Sequence, residues 1–274
     1  MSPREAIRER SFLTDNGVRL HYLTAGEGPV AAFIPGFMMP ARIWNRQIAT
    51  FSKSRRAAAL SPRGQGDSDR PTAGITTEER MRDIPMWLDA MGAKQADFIG
   101  WSMGGNELLA LIGHSGTTRV RSVTLVDVYL GGDHSPDAVR RRSDWLRRLR
   151  GDRERFTAEL IRGCCLHDQP PGFLDGLIEE ALTMPEAAAL SLMEETLARD
   201  YRPWLERIDV PLLCMIAGGG APADTATQKA AEIRRLAPRS RVEVFESCGH
   251  ALFLDDPARF DRVLDGFLRD ARGR

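Results

Sequence analysis

The feature that most restricts this chain is one turn, Gly100-Trp101-Ser102-Met103-Gly104-Gly105. Asp97-Phe98-Ile99 before it reads as a strand, and Asn106 to Ile112 after it as a helix. A strand that passes straight into a helix must turn sharply, and glycines at both shoulders remove side chains that would strike the adjoining backbone. A serine at the apex of such a turn is exposed. Exposure is the first thing a hydroxyl needs to act as a nucleophile, the second being a neighbour that takes its proton. Ser102 is therefore the candidate nucleophile, and the backbone N–H of Met103, at the start of the following helix, is a candidate oxyanion donor.

The surrounding pattern supplies a sheet for that turn. Val30 to Ile34, Ala57 to Leu60, Asp97 to Gly100, Ser122 to Val128, Leu212 to Ala217 and Arg241 to Phe245 are short apolar runs, each closed by turn residues. Runs of this kind fit strands buried on both faces of a mainly parallel sheet. The chain opens differently. Arg10 to Thr14 and Val18 to Leu23 flank Asp15-Asn16-Gly17, and Asn-Gly predicts an antiparallel hairpin. Helical segments fall between the strands. Thr76-x-x-Glu79 is a capping box ahead of Met81, Ile84, Leu88 and Met91, with Pro85 expected to kink or break that helix. Asp256-Pro257 caps a last helix that turns Phe260, Leu264 and Phe267 inward. From Gly132 to about Arg207 the strand rhythm stops. The stretch is helical and begins with Arg140, Arg141, Arg142, Arg147, Arg148 and Arg150, which read as a solvated helix face. The expected organisation is a core of residues 1–131 and 208–274 with a helical insertion at 132–207.

A general base is found by position. Of His21, His114, His134, His167 and His250, only His250 follows a core strand near the C-terminus, where a loop reaches Ser102. An imidazole titrating near neutrality accepts the serine proton and returns it to the leaving group. A second oxyanion donor is expected from the turn after Val30 to Ile34, where Pro35-Gly36-Phe37 lets the backbone bend toward the site. Phe37 N–H is the first candidate and Met38 N–H the second. Each such donor is typically worth about 3 kcal/mol of transition-state stabilisation. The loop Arg63-Gly64-Gln65-Gly66-Asp67-Ser68-Asp69 reads as a tight structural turn packed near the site.

Composition removes competing classes. Lys plus Arg and Asp plus Glu both total 38, so no net field favours nucleic acid. No apolar run reaches transmembrane length, and MSPREAIRERSF lacks the apolar core of a signal peptide. Cys164, Cys165, Cys214 and Cys248 show no metal spacing and read as reduced thiols. The expectation is a cytoplasmic protein with a small-molecule substrate, no metal, no cofactor, and no nucleic-acid or membrane partner. Monomer and homodimer both stay open.

These pieces together resemble the α/β-hydrolase superfamily, in its cap-bearing branch of small serine hydrolases and esterases. The resemblance runs from Asn16-Gly17-Val18-Arg19-Leu20-His21-Tyr22, through Phe33-Ile34-Pro35-Gly36-Phe37 and Arg63-Gly64-Gln65-Gly66-Asp67-Ser68-Asp69, to the nucleophile elbow at Ser102 and Gly249-His250-Ala251-Leu252-Phe253. It implies an α/β-hydrolase fold: a mostly parallel central sheet, an N-terminal antiparallel hairpin, flanking helices and a helical cap. Two departures stand out. Pro35 occupies the place where the family commonly has histidine in its oxyanion loop, which puts the anchoring of that loop in question. After Leu212 to Ala217 the family often places its acid as G-x-x-D, but here the run is Gly218-Gly219-Gly220-Ala221. Two carboxylates compete for the role of orienting His250. Asp127, at the end of the Ser122 to Val128 strand, is preferred; Asp224, which could instead cap a helix, is the alternative.

The implied chemistry is acyl transfer to water through an acyl-enzyme, with small carboxylic esters or lactones as substrates. Serine at the elbow argues against the aspartate-nucleophile chemistries of the superfamily. Trp101, Phe37, Met38, Met39 and Trp145 are the candidate apolar lining. Other uses of the same triad (carbon–carbon or amide hydrolysis, lyase chemistry, perhydrolysis) and a ligand-binding homologue without turnover are the alternatives.

Overall fold

The computed structural model describes residues 6–133, 135–220 and 223–272, so His134 and Ala221 lie outside the described residues. The hairpin forms from β1 (Arg8–Leu13) and β2 (Arg19–Ala25), antiparallel, with Leu13 opposite Arg19. Gly17 takes φ +79°, the left-handed region that the Asn-Gly turn requires. Both strands run two residues beyond the apolar pattern, because pairing continues after alternation fades.

The remaining strands are β3 (Val30–Ile34), β4 (Arg56–Leu60), β5 (Ala96–Trp101), β6 (Val120–Val126), β7 (Leu212–Ala217) and β8 (Arg241–Phe245). They complete an eight-stranded sheet in the order β1-β2-β4-β3-β5-β6-β7-β8, parallel from β4 onward. Burial on both faces follows from strand periodicity. In β3, Ala31 and Phe33 join one core, while Val30, Ala32 and Ile34 join the other. The first core receives α1 (Asn45–Phe51) through Ile48 and Phe51. The second receives α2 (Thr77–Ala90) and α3 (Met103–Ser115).

Thr76 caps α2 as its capping box predicts, accepting a hydrogen bond from Glu79 N–H. The break expected at Pro85 does not occur; α2 runs unbroken through it. Interior proline costs about 3 kcal/mol. Ile84, Trp87 and Leu88 are fully buried against the sheet, and burial of side chains this size is worth about 1.5–3 kcal/mol each. Packing therefore overrides local propensity here.

Among the described residues, five helices separate β6 from β7: α4 (Pro136–Gly151), α5 (Arg153–Arg162), α6 (Phe173–Leu182), α7 (Glu186–Ala198) and α8 (Arg202–Leu205). Ser135 and Asp152 cap the first two. The arginine-rich face of α4 is exposed and locally paired, Arg140 with Asp137, Arg147 with Asp144 and Arg148 with Glu159. Polar ties fasten this layer to the core, including Arg42 to Glu180, Arg70 to Thr183, and the N–H of Thr77 to Glu195. The short α8 belongs to the underside instead, with Trp204 against His114 of α3. After β7 come α9 (Ala223–Leu236), α10 (Leu252–Asp255) and α11 (Pro257–Asp270), the last capped by Asp256. Among the described residues no helix is long and apolar enough to cross a membrane.

The register gathers the site. Ile34 of β3 pairs with Gly100 of β5, and Trp101 of β5 with Val126 of β6. Their C-terminal ends therefore stand side by side, the usual ligand-binding edge of a parallel sheet.

Candidate active site

Ser102 sits between β5 and α3 with φ +52° and ψ −124°, a strained conformation for a residue with a side chain. The turn can close this tightly only because it is flanked by glycine. A Cβ on Gly104 would lie 2.5 Å from the Ile34 carbonyl oxygen, and one on Gly100 would lie 2.7 Å from Gly105 Cα. The strain holds the serine clear of the sheet, facing a cavity of about 200 Å3.

His250 lines the same cavity. Its loop is fixed at two points. Trp101 Nε1 donates to the His250 carbonyl at 2.9 Å, and the Asp255 carboxylate accepts from Gly249 N–H at 2.6 Å. His250 Nδ1 lies 2.7 Å from Asp127 Oδ2. That leaves Nε2 as the ring nitrogen available to a serine proton. Among the described residues no hydrogen bond joins Ser102 to His250; such couples often close only around bound substrate.

Asp127 stands one residue beyond β6, with φ +45° and its N–H bonded to the Met215 carbonyl. Its second oxygen accepts from Lys229 Nζ of α9 at 2.8 Å. Burial would raise the Asp127 pKa, but the Lys229 charge and the hydrogen bond with His250 outweigh it. They hold the carboxyl well below the usual carboxylate range. Asp224, the other candidate acid, hydrogen-bonds Gln228 on the exposed face of α9 and makes no bond to His250. Nothing in the local sequence marked Lys229, since its role depends on how α9 is rotated against the end of β6.

The expected oxyanion donors flank the serine. Neither Phe37 N–H nor Met103 N–H donates to a partner among the described residues. Met38 N–H, the second candidate, is already engaged by Gln65 Oε1 at 3.2 Å. Met38 also leaves the list of lining residues. It takes φ +61° and is buried in the core, whereas its neighbour Met39 borders the cavity. The left-handed step at Met38 separates the two side chains in a way that adjacency in sequence does not reveal.

Phe37, Trp101 and Trp145 do line the cavity, the last reaching down from α4 to within 5.8 Å of the Phe37 ring centroid. Leu160, Met193 and Leu197 complete an apolar wall from the same helical layer, with Asn106 and Tyr129 beside the serine. Cys164 also borders the cavity. Burial pushes its thiol up to about 12, so it stays protonated and adds apolar surface rather than a nucleophile.

The loop from Arg63 to Asp69 is packed as expected and does more than pack. Arg63 is buried and makes a two-point bond to Asp83 at 2.6 and 2.7 Å. Gln65 reaches from the same loop to the backbone around Phe37.

Comparison with known proteins agrees with this geometry. The model of the alpha/beta hydrolase family matches residues 32–263. A non-heme chloroperoxidase of Kitasatospora aureofaciens is 25% identical over 271 residues, covering 93% of this chain and 98% of that one. A 3-oxoadipate enol-lactonase of Acinetobacter baylyi is 25% identical over 269 residues, covering 95% and 97%. The crystal structure of a bromoperoxidase from Bacillus anthracis superposes with a TM-score of 0.85 at 20% identity, over 96% of this chain and 100% of that one.

Proposed function

The chain belongs to the alpha/beta hydrolase family, and on that premise we propose that it is a serine hydrolase of small, uncharged carboxylic esters or lactones. The observation that carries this reading is the 2.7 Å contact between His250 Nδ1 and Asp127 Oδ2 beside the exposed Ser102. Asp127 accepts from Nδ1–H and keeps Nε2 unprotonated. Nε2 takes the Ser102 proton as the serine oxygen attacks the carbonyl carbon. Phe37 N–H and Met103 N–H receive the developing oxyanion. The histidine proton passes to the departing alkoxide, leaving an acyl-enzyme. Water, deprotonated by the same nitrogen, then releases the acid. The helical layer α4 to α7 acts as a cap, and its wall of Trp145, Leu160, Met193 and Leu197 suits an uncharged acyl group.

The test is hydrolysis of p-nitrophenyl esters from acetate to octanoate. Wild type turns over, with an optimum among the shorter chains, and Ser102→Ala loses about 10^4-fold or more. Turnover that persists in Ser102→Ala removes the reading.

The similarity to a non-heme chloroperoxidase supports a second acceptor for the same acyl-enzyme. Hydrogen peroxide in place of water would release a peracid and the free serine. Peracid formation from acetate and peroxide, absent in Ser102→Ala, is the measurement for it.

A further inference from the structure

The loop Pro35-Gly36-Phe37 carries a proposed oxyanion donor and has to be held from outside its own backbone. Gln65 holds it from below. It is 1% exposed, and its side-chain amide makes four contacts. Nε2 donates to the Gly36 carbonyl at 3.2 Å and to the Met39 carbonyl at 2.7 Å. Oε1 accepts from Met38 N–H at 3.2 Å and from Arg80 at 2.7 Å. The first pair of partners can only accept and the second can only donate, so the amide fits one way round.

The Gly36 carbonyl belongs to the same peptide unit as Phe37 N–H. In a planar trans peptide the C=O and N–H point in opposite directions. A donor on the carbonyl side therefore aims the N–H the other way, toward the serine, and by polarising the peptide strengthens it as a donor. Gly36 itself lies against the site; a Cβ there would come within 3.2 Å of Ser102 Cβ.

Arg80 of α2 is fully buried and reaches Gln65, the Met103 sulfur and Glu107. Its Nε is 3.0 Å from Glu107 Oε1, an ion pair whose angle falls short of a hydrogen bond. Glu107 rises from α3, the helix that begins at the other oxyanion donor, Met103. One buried polar chain, Gln65 to Arg80 to Glu107, thus connects both donor-bearing segments.

We propose that Gln65, held in orientation by Arg80 and Glu107, is the positioning residue that aims Phe37 N–H at the oxyanion. This rests on the acyl-transfer reading above.

The experiment compares an oxygen ester with its thionoester analogue. The thionoester places sulfur, a poor hydrogen-bond acceptor, in the oxyanion site, so the ratio of the two kcat/KM values reports on donor alignment. The ratio is independent of how much of a preparation is folded. Gln65→Glu keeps the shape and the acceptor side of the amide but cannot donate to Gly36 and Met39. It should lower oxygen-ester kcat about 10- to 100-fold with KM changed less than about threefold, and lower the oxygen-to-sulfur ratio about tenfold. Gln65→Met, which removes the polar group without adding charge, should move the ratio the same way and serves if Gln65→Glu does not fold. An unchanged ratio overturns the proposal. Ser102→Ala in the same assay separates the two claims. Activity surviving there removes the serine mechanism, whereas loss there with an unmoved ratio in the Gln65 variants removes only the positioning role.

Discussion

The two sides of this site are built by opposite means. On the base side, His250, Asp127 and Lys229 are partly open to solvent, with 35%, 15% and 25% of their side-chain surfaces exposed. On the oxyanion side, Gln65 is 1% exposed, Arg80 0% and Glu107 2%. Each side ends in a buried or half-buried ion pair, but the pairs do different work. On the proposed reading His250 Nε2 exchanges protons with serine, leaving group and water in turn, and partial exposure lets those partners reach it. An oxyanion donor is useful only if it does not move as charge develops, which favours burial. If the proposed roles hold, burial around this site is distributed by task rather than by distance from the serine.

The largest effect should come from the base side. In Asp127→Asn the amide oxygen stays on Lys229 and its NH2 faces His250 Nδ1, which favours the wrong tautomer, and turnover should fall about 10^4-fold. Asp224→Asn should leave turnover within twofold of wild type, since that carboxylate meets only Gln228. Steady-state rates on one p-nitrophenyl ester read both, and a near-native Asp127→Asn would sink the assignment.

Stability is where the oxyanion side should dominate. Arg80→Met strands the Glu107 carboxylate in the core, where burial already raises its pKa, and should cost about 3–5 kcal/mol in urea unfolding. Replacing both partners, Arg80→Met with Glu107→Leu, should recover most of that loss. No recovery in the double variant would mean that the pair contributes more than mutual compensation.

Lys229→Met should cost less, about 1 kcal/mol, because water already screens the pair. The pH dependence has a definite sign. Asp127 is held below its unfolded value of about 3.9, so its contribution is fully present above roughly pH 4 and is lost as pH falls toward the folded value. The gap between Lys229→Met and wild type should therefore be open at pH 7, begin to narrow below about pH 4, and still be partly open at about pH 3. The smallest effect belongs to the arginine face of α4. Arg147→Ala should change stability by less than about 0.5 kcal/mol, since its partner Asp144 is equally exposed.

How far the sequence reached follows from which features are local. The elbow at Ser102, the N-cap at Thr76 and the hairpin turn are written in residues a few positions apart, so pattern and turn chemistry expose them. The place of His250 is legible in part: its loop leaves the C-terminal end of β8, on the same side of the sheet as Ser102, but its reach inward from that edge strand to Trp101 is a tertiary feature. Asp127 and Asp224 could not be separated that way. The choice depends on where β6 and β7 stop relative to each other, and Asp127 is the first residue past its strand. Arg80, Glu107 and Lys229 sit on helices whose spacing gives a buried or exposed face but not the object that face meets. The break expected at Pro85 and the lining role expected of Met38 fail for a related reason. Each obeys a local rule that packing, or a single left-handed residue, overrides.

The sheet has two ends, and what stands there bears on how the molecule behaves in company. An unpaired strand edge is a template on which another chain can build. β1 carries Arg8, Glu9 and Arg10, and β8 carries Arg241 and Glu243. A second copy adding its strand to either edge would have to strip water from these charges, and the backbone bonds gained there would scarcely offset it. Crowded solutions of this protein should therefore resist growth by sheet extension.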